Sequence, residues 1–177
     1  MIGLFLNLLD TQSEKDKFIK LYDKYKNMLY WISYGKTQSC QDAEDCVAET
    51  FFYVAKHFEK IGDVNSSKTK GYLATIVTGF SIDVYNKSKK YGRIDIENNN
   101  MAENLSYFDN IETVELSSAI ESVLSEEEKI YIYLKYVYGY KSAEIAEIYN
   151  ATDISVRKKL ERAKAKLKKY FEEETND

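Results

Sequence analysis

Tyr140-Lys-Ser-Ala-Glu-Ile-Ala-Glu-Ile-Tyr149, Asn150-Ala-Thr152 and Asp153-Ile-Ser-Val-Arg-Lys-Lys-Leu-Glu-Arg-Ala163 read in succession as helix, tight turn and helix. Ser142 heads the first helix, which carries Ile145, Ala146 and Tyr149 as its apolar positions. Asn150 tolerates the left-handed conformation that stops a helix, and Thr152 supplies a capping oxygen for the next one. The second helix then presents Val156, Leu160, Ala163 and Leu167 on one face. Ala146 is small where the two helices would cross, and Val156 and Leu160 would pack against Ile145. The pattern is a helix-turn-helix, whose outer face of Arg157, Lys158, Lys159 and Arg162 suits a major groove. A plain helical hairpin with a solvated basic tail shares the periodicity. Turn residue, small residue and charge together favour the first reading.

Upstream, Glu115 to Leu124 reads as a short helix through Leu116, Ile120, Val123 and Leu124. Ser125-Glu-Glu-Glu128 is a capping box for a helix carrying Ile130, Leu134 and Val137 and ending at Gly139. The N-terminal half opens on a similar box, Thr11-Gln-Ser-Glu14. Phe18, Leu21, Tyr22, Tyr25, Leu29 and Ile32 then share a face, and Gly35 is expected to end that helix. Asp42, Glu44 and Asp45 place acid near a second helix start, where the macrodipole favours it. Ala43, Val47, Phe51, Val54 and Phe58 continue it. A polar loop, Gly62 to Thr69, precedes a third helix over about 70–90, with Leu73, Ile76, Val77, Phe80 and Val84 inward. Three helices with one apolar face each form a bundle.

Composition agrees. The 177 residues are 44% hydrophobic and 31% charged, with no Pro and seven Gly, too few turn formers for a sandwich or barrel. The fold class is therefore all-α. Two Cys (Cys40 and Cys46) make no disulfide framework, and a single His rules out a Cys/His zinc cluster. The apolar opening, Met1 to Leu9, is too short to span a bilayer and lacks the basic flank of a signal peptide. A cytoplasmic protein with free thiols is expected. No phosphate-binding loop, nucleophile motif or nucleotide fingerprint occurs, so no enzyme chemistry, cofactor, metal or small-molecule substrate is expected.

The net charge of −4 hides three zones. From Ile94 to Glu128 there are ten acidic residues and no Lys or Arg. The first part, residues 94–113, is polar and aperiodic, as a linker is. Lys87, Lys89, Lys90 and Arg93 precede it. Arg157 to Lys169 follows, with eight basic residues and one acid. The expected organisation is thus a helical domain over 1–93, an acidic linker over 94–113 and a helix-turn-helix domain over 114–177. Two basic helices on either side of an acidic joint suit a protein that touches DNA at two places.

Gln41-Asp-Ala-Glu-Asp-Cys-Val-Ala-Glu-Thr-Phe-Phe52 resembles the acidic motif of bacterial RNA polymerase sigma factors. Lys70 to Asp83 is similar to that family's next helix, and Tyr140–Tyr149 with Ser155–Ala163 to its C-terminal helix-turn-helix. The likeness runs from about Phe18 to Leu167 and has the two-domain layout of the extracytoplasmic-function type. It implies a region 2-like bundle and a region 4-like domain. It also implies a promoter-specificity subunit that binds core RNA polymerase and promoter DNA and is held by an anti-sigma partner. Asp42, Asp45, Ala48 and Glu49 would meet the polymerase. Asp63, Asn65, Ser66, Ser67, Lys68 and Lys70, with Lys87, Lys89 and Lys90, would handle the proximal promoter element and strand opening. Thr152, Ser155, Arg157, Lys158, Glu161 and Arg162 would read the distal element. Departures from the pattern are Thr78-Gly79 in place of arginine-asparagine, Val54-Ala-Lys-His57 without tryptophan, and Ser125 in place of proline. The alternative is a stand-alone helix-turn-helix regulator with an N-terminal interaction module. It leaves the Asp42–Phe52 motif without a purpose. A metalloenzyme using the carboxylate stripe lacks a nearby His.

Overall fold

The computed structural model describes residues 2–90 and 114–174. They form helices and turns, with no strand among the described residues, so the fold is all-α as expected. The chain divides into two compact units, Met1–Met101 and Ala102–Asp177. The acidic stretch 94–113 and Arg93 lie outside the described residues.

Among the described residues, the N-terminal unit holds the α-helices α1 (Ile2–Leu6), α2 (Gln12–Thr37), α3 (Cys40–Lys56) and α4 (Ser67–Lys90). α2 starts at the expected capping box, where the Glu14 N–H donates to Thr11 Oγ1 (3.2 Å) and the Thr11 N–H to Glu14 Oε2 (3.0 Å). It does not stop at Gly35. It continues to Thr37 and closes on Gln38 in the left-handed region (φ 56°), whose N–H donates to Tyr34 O. The reason is burial. Through Tyr25, α2 buries one face, but Asn27 to Tyr34 is buried all round, because α3 and α4 both pack against it. Each large apolar side chain removed from water there stabilises the fold by roughly 1.5–3 kcal/mol, more than one helical Gly costs.

α3 is capped by Ser39, whose Oγ accepts the Asp42 N–H (3.2 Å). Ala43, Val47, Phe51 and Val54 face inward as the periodicity predicts. Phe18 on α2 joins Phe51 (6.0 Å between ring centroids) to Phe58 (5.8 Å) in the turn after α3. α4 begins three residues before the expected start, because Ser66 Oγ accepts the Thr69 N–H (3.1 Å) and caps it. Where α4 crosses α2 the contact is made by small polar residues. Ser81 Oγ lies 2.8 Å from Ser33 Oγ and 2.6 Å from Val77 O, both serines being fully buried. Cys46 belongs to this node, and burial pushes its thiol pKa up. The apolar opening of the chain covers the bundle: Phe5 packs on Phe18 (6.0 Å) and Leu9 is buried.

The second unit contains α5 (Val114–Val123), α6 (Glu126–Ile132) with a wide π-type turn over Tyr133–Val137, α7 (Ser142–Tyr149) and α8 (Asp153–Glu174). The box at Ser125 is present, with Ser125 N–H to Glu128 Oε2 at 2.9 Å. Gly139 takes φ +67°, which a residue with a side chain would adopt only under strain. Ser142 is not the cap of α7. Lys141 holds the cap position and its N–H donates to Glu144 Oε2 (2.6 Å). Asn150 does end α7 in the left-handed region (φ 55°). Ile145, Ala146, Val156, Leu160 and Ala163 are buried and form the α7–α8 seam. Lys129 is almost wholly buried beneath α5, with its ammonium on Glu121 (2.7 Å) and Glu126 (3.0 Å).

Two neighbouring positions on α4 should respond in opposite directions. A Cβ added at Gly79 meets nothing within 4 Å, so Gly79→Ala should stabilise the protein by about 0.5–1 kcal/mol. Ser81→Leu forces bulk into the closed α2–α4 crossing and should destabilise by about 1–3 kcal/mol. Urea denaturation of both variants gives the comparison.

Candidate functional site

Burying Ala43, Val47, Phe51 and Val54 turns the opposite face of α3 outward. Asp45 and Glu49 are exposed there, and Asp42 and Ala48 are half-buried beside them. None of the three carboxylates forms a salt bridge among the described residues. One turn on, Phe52 is 39% exposed and the Lys56 ammonium stands 4.2 Å from its ring centre. The surface is an acidic stripe with an aromatic end.

The segment after α3 is held in shape by α2. Lys17 Nζ donates to Ile61 O, Tyr25 Oη to Val64 O (2.7 Å) and Lys24 Nζ to Asn65 Oδ1 (2.6 Å). Within the loop, Asp63 Oδ1 accepts the Asn65 N–H (3.0 Å), and Asp63 O accepts from Ser66 (2.9 Å) and Thr69 (2.7 Å) hydroxyls. Asp63 and Ser66 thus shape the turn and cap α4. An ammonium has only donors, so the Asn65 carboxamide turns its oxygen to Lys24 and its NH2 away from it. Asn65, Ser67 and Lys68 are exposed, and Lys70 is half-buried. An open cleft of about 630 Å³ lies beside Asn65, lined also by Lys17, Lys20, Asp63 and Val64 among others. At the far end of α4, Lys87, Lys89 and Lys90 are exposed in the last turn, where the helix dipole favours cations.

α8 divides its charges between two faces. Thr152 Oγ1 accepts the Ser155 N–H (3.2 Å), as a cap does. Arg157, Lys158, Glu161 and Arg162 are exposed. The guanidinium of Arg157 is paired with Asp153 (Nη2 to Oδ2, 2.7 Å) and reaches Ser142 on α7 (Nε to Oγ, 3.4 Å). Lys159, expected on the outer face, points instead to α6, where it pairs with Glu127 and stands over the Tyr131 ring (5.1 Å). Lys166 binds Glu128 (2.8 Å). Two of the acids counted in the acidic zone are therefore already matched by α8 within one unit.

Sequence reasoning passed over Lys17, Lys24 and Tyr25 because nothing local tells which loop lies over α2. The Asp153–Arg157 pair had a signal: opposite charges four residues apart on one helix. Among the described residues there is no group of His, Cys, Asp and Glu placed to hold a metal ion, and no helix long and apolar enough to cross a membrane.

A bundle with an acidic face, a shaped polar loop and a separate basic helix-turn-helix is the arrangement of a factor that joins a protein machine to DNA. The family model for sigma-70 region 2 matches residues 21–91, and that for sigma-70 region 4 matches residues 115–167. The chain belongs to the sigma-70 family of RNA polymerase sigma factors, in the two-domain extracytoplasmic-function type, and acts in promoter recognition and transcription initiation. Over 173 residues, 90% of this chain and 91% of the relative, it is 25% identical to the ECF RNA polymerase sigma factor SigW of Bacillus subtilis (strain 168). The stand-alone regulator is accordingly not favoured, since region 2 accounts for the N-terminal bundle.

The contact between α6 and α8 should titrate. Partial burial alone would raise the Glu128 carboxyl pKa, but hydrogen bonds from Lys166 and from Ser125 outweigh it and hold it below the usual range. A depressed carboxylate adds stability that is complete above its unfolded pKa of about 4.3 and is lost as pH falls through the folded value. Thermal unfolding of the wild type should therefore weaken more steeply below about pH 4 than that of Glu128→Gln. Parallel curves would remove Glu128 from this role.

Proposed function

We propose that the chain works as an initiation subunit through three surfaces. Residues 1–93 form the polymerase-binding and strand-opening domain, residues 94–113 the joint and residues 114–177 the distal reader. Asp42, Asp45, Ala48 and Glu49 meet a basic helical element of core RNA polymerase, with Phe52 extending the contact. Asn65, Ser67, Lys68 and Lys70 face the proximal promoter element, while Asp63 and Ser66 act by shaping the loop. Lys87, Lys89 and Lys90 follow backbone phosphates, as screened cation–phosphate contacts do. Thr152 and Ser155 lie near backbone phosphates at the start of α8. Arg157, Lys158, Glu161 and Arg162 enter the groove, where Arg takes guanine and Glu accepts from cytosine. The factor is not an enzyme, works in the cytoplasm and is restrained by an anti-sigma protein that covers one of these surfaces.

The observation that carries this reading is the outward acidic stripe on α3, which extends past the helix start to Glu49: Asp45 and Glu49 are exposed and make no salt bridge among the described residues. Affinity capture of purified core polymerase tests it. The doubly reversed variant Asp45→Lys with Glu49→Lys should bind core roughly tenfold or more weakly while keeping its helical circular dichroism. Unchanged affinity would dismiss the stripe as the docking surface.

A further inference from the structure

The geometry points to Asp153 and Ser142 as specificity-determining residues that hold the Arg157 guanidinium by its inner edge, so that it meets a single guanine rather than a phosphate. This rests on the reading of α8 as the distal promoter reader and deepens it.

A guanidinium has five N–H donors arranged along its edges. Nε and Nη2 share one edge. Asp153 Oδ2 takes Nη2 at 2.7 Å, and Ser142 Oγ faces Nε at 3.4 Å. That edge is therefore occupied by the protein itself. The end formed by Nη1 and the second hydrogen of Nη2 has no hydrogen-bond or ion-pair partner among the described residues. Its two parallel donors match O6 and N7 of guanine in the major groove.

An unrestrained arginine at this place would swing to the nearest phosphate, which carries no sequence information. Two features oppose this here. The first is that the anchors lie on different helices, Asp153 on α8 and Ser142 on α7, so the guanidinium is tied to both helices of the motif. The second is the carboxylate. Asp153 stands in the first turn of α8, and its Oδ1 is buried with no hydrogen-bond partner among the described residues. Its charge is matched by Arg157 and by the helix N-terminus. Beside a DNA backbone it repels phosphates and offsets part of the attraction Arg157 would exert on any duplex. Arg157 remains 66% exposed, so its open end is available. Asp153 and Ser142 are thus positioning residues, and Arg157 is the residue that touches the base.

The test uses holoenzyme reconstituted from core polymerase and the full chain, with duplex promoter fragments randomised across the distal element. Wild-type holoenzyme should enrich a guanine at one position, and Arg157→Ala should lose that enrichment. Asp153→Ala should reduce the preference for that guanine about tenfold, the range set by one bidentate contact. It should also strengthen binding to random-sequence duplex at low salt. Asp153→Glu should restore part of the preference. Ser142→Ala should broaden it more weakly and serves as the second variant if Asp153→Ala fails to fold. A purely structural role for Asp153 would lower the melting temperature and leave the base preference unmoved, which would overturn the inference. If Arg157→Ala itself leaves every distal preference intact, the assignment of α8 fails instead.

Discussion

The enclosure of α2 between α3 and α4 is the constraint on which the N-terminal unit depends. Trp31, Tyr30, Met28, Leu29 and Ile32 are fully buried along it. From Asn27 to Tyr34 this helix has no solvent face left, because α3 and α4 both pack against it. The consequence for function is positional. α3 must bury Ala43, Val47, Phe51 and Val54, and its carboxylates therefore point outward. The earlier part of α2 still has a wet side, and from it Lys17, Lys24 and Tyr25 hold the loop between α3 and α4. A polar segment that would otherwise sample many conformations is thereby held in one.

The C-terminal unit solves a different problem. α8 is rich in good helix formers, but its like charges repel one another. Its inner residues Val156, Leu160 and Ala163 attach it to the other helices through apolar contact. Its inner cations, Lys159 and Lys166, attach it to α6 through Glu127 and Glu128. What remains outward is Arg157, Lys158 and Arg162. The capping carboxylates of α6 have two uses, since Glu128 both accepts the Ser125 N–H and receives Lys166.

Much of this was legible before the structure was known, and the parts that were not share a cause. Thr11, Ser125 and Thr152 announce their helix starts because capping is a local bond between residues three apart. Asn150 does the same for a stop. Gly35 misleads because a weak helix residue ends a helix only when nothing outweighs it, and the buried aromatic run Tyr30 to Tyr34 does. Ser142 misleads for a related reason: a Glu three residues after Lys141 captures the open N–H first. Lys159 looked like part of one basic face, yet a helix turns about 100° per residue, so its neighbours Arg157 and Lys158 say little about it. The acidic stripe on α3 was readable from spacing alone. The grip of α2 on the loop was not, because it joins residues about forty positions apart and depends on how the bundle closes.

The account makes one claim above the others: a single chain recognises two separated duplex elements while bound to polymerase. Run-off transcription with core enzyme and this chain on a library of randomised upstream sequences addresses it directly. The account predicts transcripts whose templates share two short conserved blocks at a fixed separation. Initiation no better than that of core enzyme alone, or selection of a single block, would contradict it.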